Sequence, residues 1–324
     1  MNQPDGLLAD SVLRDSRRTL VGTMIRAARR AGAGVGLALC ASVLVAAMPA
    51  PASAARSAAP VAPVMAGSRY LALGDSVTFG YEEPTVVPAP DYSDASSFLG
   101  YPEQLGAELH LVVTNLACPG ETSSSLISAS AQSNGCENSV TSPPANYRVL
   151  YPLHVRYKGA QLAYAVAYLR AHHDITLVSL MIGANDYFVC VATTADGCSS
   201  AAEQHAVLAK VTANVRQILS TIRHKAHYGG QLAIVNYYSL NYALASDNAL
   251  SNALNTTMDA AAKPFHVVVA NGYSELRAAA VHFGGDTCEA GLLTQLGTPG
   301  KCGIHPSYAG QALLAQSLEK VIRL

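Results

Sequence analysis

The chain has 324 residues, 50% of them hydrophobic and 13% charged, with 25 Gly, 16 Pro, no Trp and a formal net charge of -1. That composition excludes a disordered or collagen-like chain and supplies the apolar side chains for a sizeable core. Beyond residue 54 the chain is more acidic and has no run of Lys or Arg, so it lacks the basic footprint that phosphate backbones attract, and nucleic-acid partners are not expected.

In chain order, Arg26, Arg29 and Arg30 precede an uncharged, mostly apolar run over residues 31–48, and residues 49–54 form a small-residue stretch of the A-x-A type. This pattern reads as a secretory signal cut after Ala54, which makes the product extracellular, without stable membrane insertion after cleavage. Residues 1–54 are therefore set aside from the fold. Residues 55–67, rich in Ala, Pro and Ser, read as a flexible N-terminal segment, and residues 68–324 as one domain.

Within that domain, short apolar runs at 70–73, 111–116, 175–182, 232–236 and 266–270 have the length and β-branching of strands buried on both faces. Helical periodicity falls between and after them, at 102–109, 159–172, 202–226, 248–262 and 306–322. Alternating strands and helices predict an α/β fold, with a doubly wound, flavodoxin-like, five-stranded parallel sheet and helices on both faces. Two long connections, 81–98 and 123–158, are rich in Pro, Ser and Asn, and connections of that length are usually functional.

Six cysteines remain after the signal, at 118, 136, 190, 198, 288 and 302. An even count in an exported chain implies disulfides, and loop closure favours near neighbours: Cys118–Cys136, Cys190–Cys198 and Cys288–Cys302. No C-x-x-C spacing or His-x-x-x-His helix is present, so no metal is expected.

Each predicted strand end that matters carries a polar cluster. Gly74-Asp75-Ser76 follows the first strand, Asn115-Leu116-Ala117-Cys118-Pro119-Gly120 the second, and Gly183-Ala184-Asn185-Asp186 the third; Gly303-Ile304-His305-Pro306 opens the last predicted helix. In an open α/β sheet the ligand crevice lies at these strand ends. With strand order 2-1-3-4-5, neighbouring ends are only about 4.8 Å apart, so Ser76, Gly120 and Asn185 would meet.

These ordered blocks resemble the SGNH hydrolases, the GDSL lipase/esterase family, from about residue 69 to the end of the chain. The six-cysteine arrangement is similar to that of secreted actinobacterial lipases. The resemblance implies Ser76 as nucleophile, His305 as general base, and the Gly120 N–H and Asn185 amide as oxyanion donors; the Ser76 N–H, at the entry to the next segment, is placed to serve as a third. Such roles suit the residue types. A Ser hydroxyl needs a neighbouring base to take its proton, and a tetrahedral oxyanion needs donors aimed in advance. Asp75 and Asp186 read as structural acceptors around their turns.

Val77 and Ala184 stand where the family usually has Leu and Gly. A larger departure concerns the acid common three residues before the His, because Cys302 occupies that place. The expected partner of His305 is accordingly the Cys302 backbone carbonyl, with Asp286 as the alternative. Together these readings predict a secreted serine esterase or lipase, without cofactor, acting as a monomer on acyl lipid or short-to-medium chain esters through an acyl-enzyme. The alternatives are a carbohydrate-ester deacetylase, disfavoured by the lack of Trp for sugar stacking, and a non-catalytic binding protein on the same fold.

Overall fold

The structure, a computed structural model, describes residues 61–141 and 146–324. The expected signal segment lies outside the described residues, as do residues 55–60. The rest of the expected flexible segment is docked. Val64 is buried and its N–H donates to the Arg323 carbonyl at 2.8 Å, while Gln231 Nε2 donates to the Ala62 carbonyl at 3.0 Å. Among the described residues no helix is long and apolar enough to cross a membrane.

Five strands, β1 (Arg69–Gly74), β2 (Val112–Asn115), β3 (Ile175–Met181), β4 (Gln231–Val235) and β5 (Val268–Ala270), form one parallel sheet of order β2-β1-β3-β4-β5. In each of β1 and β3 all residues but one are buried, which explains their near-continuous apolar sequence. Register brings Ala72 opposite Asn115 and Gly74 opposite Met181, so the ends of β1, β2 and β3 lie side by side. Parallel neighbours require crossovers, and the helices supply them on both faces. On one face α1 (Ser76–Phe79) leads out of β1, and α2 (Tyr101–Glu108) packs on the C-terminal α10 (Tyr308–Glu319), which also meets α9 (Gly272–Ala280). On the other, α7 (Ala201–Ser220) packs on α3 (Ser123–Ile127), α6 (Ala184–Thr193) and α8 (Ala245–Ala262), while α5 (Gln161–Ala171) joins α3. A short α4 (Tyr147–Leu150) lies in the second long connection.

Three elements depart from the sequence expectation. The α6 segment holds Tyr187, Phe188, Val189 and Val191, types that favour strands, yet packing on α7 makes it a helix. The α9 helix is announced by Asn271, whose side chain accepts the Ser274 N–H at 2.9 Å. Before the last helix the chain forms an antiparallel hairpin, β6 (Leu293–Gln295) and β7 (Cys302–Pro306). His305 thus sits on a strand, and the helix begins later, at Tyr308, capped by Ser307.

The two long connections do not trail over the surface. Phe79, Phe98, Cys118, Cys136, Tyr147 and Leu153 make a second buried cluster, with Tyr81, Tyr92 and Tyr151 packed against it. Disulfides join Cys118–Cys136, Cys190–Cys198 and Cys288–Cys302. In a chain beginning after residue 54, thiol titration of the unfolded, unreduced protein should find no free thiol, and reduction should add about six hydrogens to the intact mass. Two or more titratable thiols would reject this framework. Replacing both Cys118 and Cys136 by Ser should cost about 3 kcal/mol in urea unfolding, because that bridge closes a loop of 18 residues.

Candidate active site

Strand β1 delivers Ser76 to the crevice as the first residue of α1, where a helix-start N–H has no partner four residues back. Gly74 passes so close to the Met181 carbonyl and the Thr78 side chain that a Cβ would collide with both. Asp75 caps α1, one oxygen accepting the Val77 N–H at 3.0 Å and the other the Tyr237 hydroxyl. Burial lifts the Asp75 carboxyl to about 6, although both of those bonds favour its ionised form. The end of β1 is clamped by Gln161, which accepts the Gly74 N–H at 2.8 Å and donates to the Gly74 carbonyl at 3.0 Å.

His305 comes from the far end of the chain. Its Nε2 lies 2.9 Å from Ser76 Oγ, and its Nδ1 lies 2.8 Å from Glu83 Oε1. Glu83 Oε1 also accepts the Ile304 N–H at 2.8 Å, and Oε2 accepts the Thr294 hydroxyl at 2.5 Å. Burial by itself would raise the Glu83 pKa. The His305 bond and charge, the Thr294 hydroxyl and the Ile304 N–H outweigh it and bring the carboxyl down to about 2. The carboxylate rests against Gly303, where any Cβ would occupy its place. The Tyr81 ring stands edge-on to the imidazole at 4.9 Å.

Glu83 thus replaces both partners that the sequence suggested for His305. Cys302 precedes His305 on the extended β7, and three extended residues span about 10 Å, too far for its carbonyl to act as the near neighbour of the ring. Asp286 is committed elsewhere, accepting the Cys288 N–H at 2.9 Å, the Glu289 N–H at 3.1 Å and the Asn241 side chain at 2.9 Å. A legible signal did exist, since Glu82-Glu83 opens the long 81–98 connection just beyond the GDS block.

The other two blocks meet at a residue outside all of them. Gly120 follows β2 with φ +82°, and its carbonyl accepts the Asn134 N–H at 2.7 Å. Asn185, buried in the first turn of α6, accepts the Asn134 side-chain amide on Oδ1 at 2.9 Å. Asp186 accepts both the Ser123 N–H and the Ser123 hydroxyl at 2.7 Å, tying the start of α3 to the start of α6. At the end of β2, Asn115 donates to the Thr78 carbonyl at 2.8 Å and accepts the Ala117 N–H at 3.0 Å, so β2 is aligned with α1.

Behind Gly120 lies the fully buried Glu121, which accepts Gln161 Nε2 at 3.1 Å and the Ser125 hydroxyl. Burial raises its carboxyl well above the ordinary carboxylate range. Cys118, Glu121 and Cys136 place potential ligand atoms within 4.8 Å of one another, but the two sulfurs are joined in a disulfide and are not thiolates. Chemically, the crevice offers a hydroxyl on an imidazole, a carboxylate fixing the far ring nitrogen, and backbone and amide groups on the neighbouring strand ends.

The solved structures this chain is similar to include a phospholipase A1 from Streptomyces albidoflavus NA297, at 19% identity and TM-score 0.47, over 79% of this chain and 99% of that one. They also include an acetylxylan esterase from Geobacillus stearothermophilus, at 16% identity and TM-score 0.48, over 80% of this chain and 95% of that one. A member of the lipolytic G-D-S-L family from Veillonella parvula matches at 16% identity and TM-score 0.42, over 78% of this chain and 96% of that one. Comparison with the curated proteins finds no match. The GDSL-like lipase/acylhydrolase family matches residues 72–313, a span that runs from β1 through Ser76, Glu83, Gly120, Asn185 and His305 into α10, and the chain belongs to that family of ester hydrolases.

Proposed function

We propose that the protein is an exported serine esterase that cleaves acyl lipid or short-to-medium chain carboxylic esters through an acyl-enzyme on Ser76. The observation that carries this reading is the unbroken chain Ser76 Oγ, His305 Nε2, His305 Nδ1, Glu83 Oε1, with its two links of 2.9 and 2.8 Å. Export is supported by the signal-like residues 1–54 and by three disulfides, which persist in oxidising compartments.

Ser76 Oγ attacks the ester carbonyl carbon as its proton passes to His305 Nε2, and the carbonyl electron pair moves onto oxygen. Glu83 holds the proton of the neutral ring on Nδ1, which leaves Nε2 free to accept, and stabilises the imidazolium that forms. The Gly120 N–H, the Asn185 amide and the Ser76 N–H receive the oxyanion. Collapse breaks the bond to the leaving alcohol, which takes the proton from Nε2. Water then gives a proton to Nε2 and attacks the acyl carbon, releasing the acid and restoring the Ser76 hydroxyl. The partly exposed rings of Tyr81, which stands edge-on to the imidazole, Tyr92 and Tyr151, backed by the buried Phe98 and Tyr147, offer apolar surface to an acyl chain, and the chain has no Trp to stack a sugar.

Ser76→Ala should abolish turnover of p-nitrophenyl butyrate with the fold intact, and Asn185→Ala should lower kcat about 10²–10³-fold with a smaller change in KM. Normal turnover by the Ser76 variant would sink the assignment. Across p-nitrophenyl esters from acetate to palmitate, activity should be highest in the short-to-medium range. A strong preference for acetylated xylooligosaccharides over that whole panel would point to the deacetylase instead.

Glu83→Gln should reduce kcat by about 10³–10⁴, because an amide that donates to Nδ1 stabilises the wrong tautomer, whereas Asp286→Asn should stay within about tenfold of wild type. The reverse ranking would restore Asp286. Stability gives a second readout. The Glu83 carboxyl falls from 4.5 to about 2 on folding, so its contribution is complete above about pH 4.5 and is lost as pH falls through about 2. Melting temperature measured between pH 5 and 2 should therefore fall less steeply in Glu83→Gln than in wild type, and parallel curves would contradict the assignment of that carboxylate.

A further inference from the structure

Asn134 belongs to none of the four sequence blocks, yet it is bonded to both strand ends that flank the nucleophile. Its N–H donates to the Gly120 carbonyl at 2.7 Å, and its side-chain Nδ2 donates to Asn185 Oδ1 at 2.9 Å. The approach is close enough that a Cβ on Gly120 would strike the Asn134 carbonyl. The Cys118–Cys136 bridge closes around this contact, one sulfur two residues before Gly120 and the other two residues after Asn134.

The loop carrying Asn134 is held by bonds that do not involve its side chain. The Ser133 hydroxyl donates to the Asn138 carbonyl at 2.6 Å, and Asn138 accepts the Ser133 N–H at 2.9 Å and donates to the Ala131 carbonyl at 3.0 Å. The Thr122 hydroxyl reaches the Gln132 carbonyl at 2.7 Å. A side-chain amide presented from so fixed a loop is available for a directional task.

We propose that Asn134 is a positioning residue that sets which end of the Asn185 amide faces the substrate. An amide carries an acceptor on one branch and two donor hydrogens on the other, so a half-turn about its last torsion exchanges an oxyanion donor for a repelling oxygen. By donating to Oδ1, Asn134 holds that oxygen away from the reacting carbonyl and leaves Nδ2 to face it. The reversed amide would set two donors against each other at Asn134 and aim Oδ1 at the developing negative charge. The inference rests on the reading of Asn185 as an oxyanion donor and identifies what gives that donor its direction.

The test is a double-mutant cycle on p-nitrophenyl butyrate with Asn134→Asp, Asn185→Ala and the pair. Asn134→Asp preserves size and the backbone bond to Gly120 but offers an acceptor in place of a donor, so the Asn185 amide turns to donate to it. Expected are a fall in kcat of about 10²–10³ with KM within about threefold, and a further loss below about twofold when Asn185 is already Ala. A purely structural role would cost the same in both backgrounds, and that equality would overturn the proposal. So would Asn134→Asp retaining kcat within about fivefold of wild type while Asn185→Ala alone shows its full loss. If Asn185→Ala itself retained kcat, the oxyanion reading would fail first, and the proposal with it. Should Asn134→Asp not yield folded protein, Asn134→Ala runs the same cycle, with about a tenfold loss expected in wild type and none beside Asn185→Ala.

Discussion

The arrangement of this crevice depends on one largely buried group, the Glu83 carboxylate. It sits 2.8 Å from His305 Nδ1, accepts the Ile304 N–H and the Thr294 hydroxyl, and so ties the loop after the nucleophile helix to both strands of the β6–β7 hairpin. With only 20% of its side chain exposed, an unpartnered charge there would be costly. Two features of the distant sequence answer this requirement. Gly303 leaves the space the carboxylate fills, and Cys288–Cys302 fastens the strand that carries the imidazole. Orientation of the base and closure of the hairpin are therefore the same physical event.

The remaining fastenings around Ser76 are hydrogen bonds rather than ion pairs. Gln161 bridges the end of β1 and the buried Glu121, Asn134 bridges Gly120 and Asn185, and Asp186 bridges α6 to Ser123. Gln161 accepts from and donates to the Gly74 backbone, Asn134 gives its N–H to the Gly120 carbonyl and its side-chain amide to Asn185 Oδ1, and Asp186 accepts both the N–H and the hydroxyl of Ser123. The Cys118–Cys136 bridge, itself part of the second buried cluster, restrains the loop in which two of the fastenings meet.

The sheet was legible from the sequence because strands buried on both faces must be short and apolar, and all five expected runs overlap observed strands. The same holds for Ser76 and His305, which stand 2.9 Å apart after 229 residues of separation. What escaped were features decided by contact rather than by local pattern. Strand-favouring residues in α6 yield to packing, and the 302–306 segment pairs as a strand because its partner lies across a turn and a disulfide. Glu83 was hidden for a related reason. A family expectation directed attention to position 302, whereas the partner of His305 lies 222 residues away in a connection whose length alone marked it as functional. Asn134 carries no periodicity and no motif, and only its two bonds reveal it.

The electrostatics of the buried carboxyls explain why Glu83, and not a nearer acid, serves the imidazole. Burial raises Asp75 to about 6 and Glu103 to about 7, and it pushes Asp186 and Glu121 upward as well. Each of these accepts hydrogen bonds, from the Tyr237 hydroxyl, Asn115, Ser123 and Gln161 respectively, yet bonds from neutral donors do not make up for lost hydration. Glu83 differs in gathering a ring nitrogen that can become cationic, a hydroxyl and a backbone N–H, and its pKa falls to about 2. A carboxylate meant to stabilise an imidazolium must itself stay ionised. Among these buried acids Glu83 is the one whose surroundings favour the charge more than water does, so the position that looks remote in sequence is the one that the chemistry of the site can use.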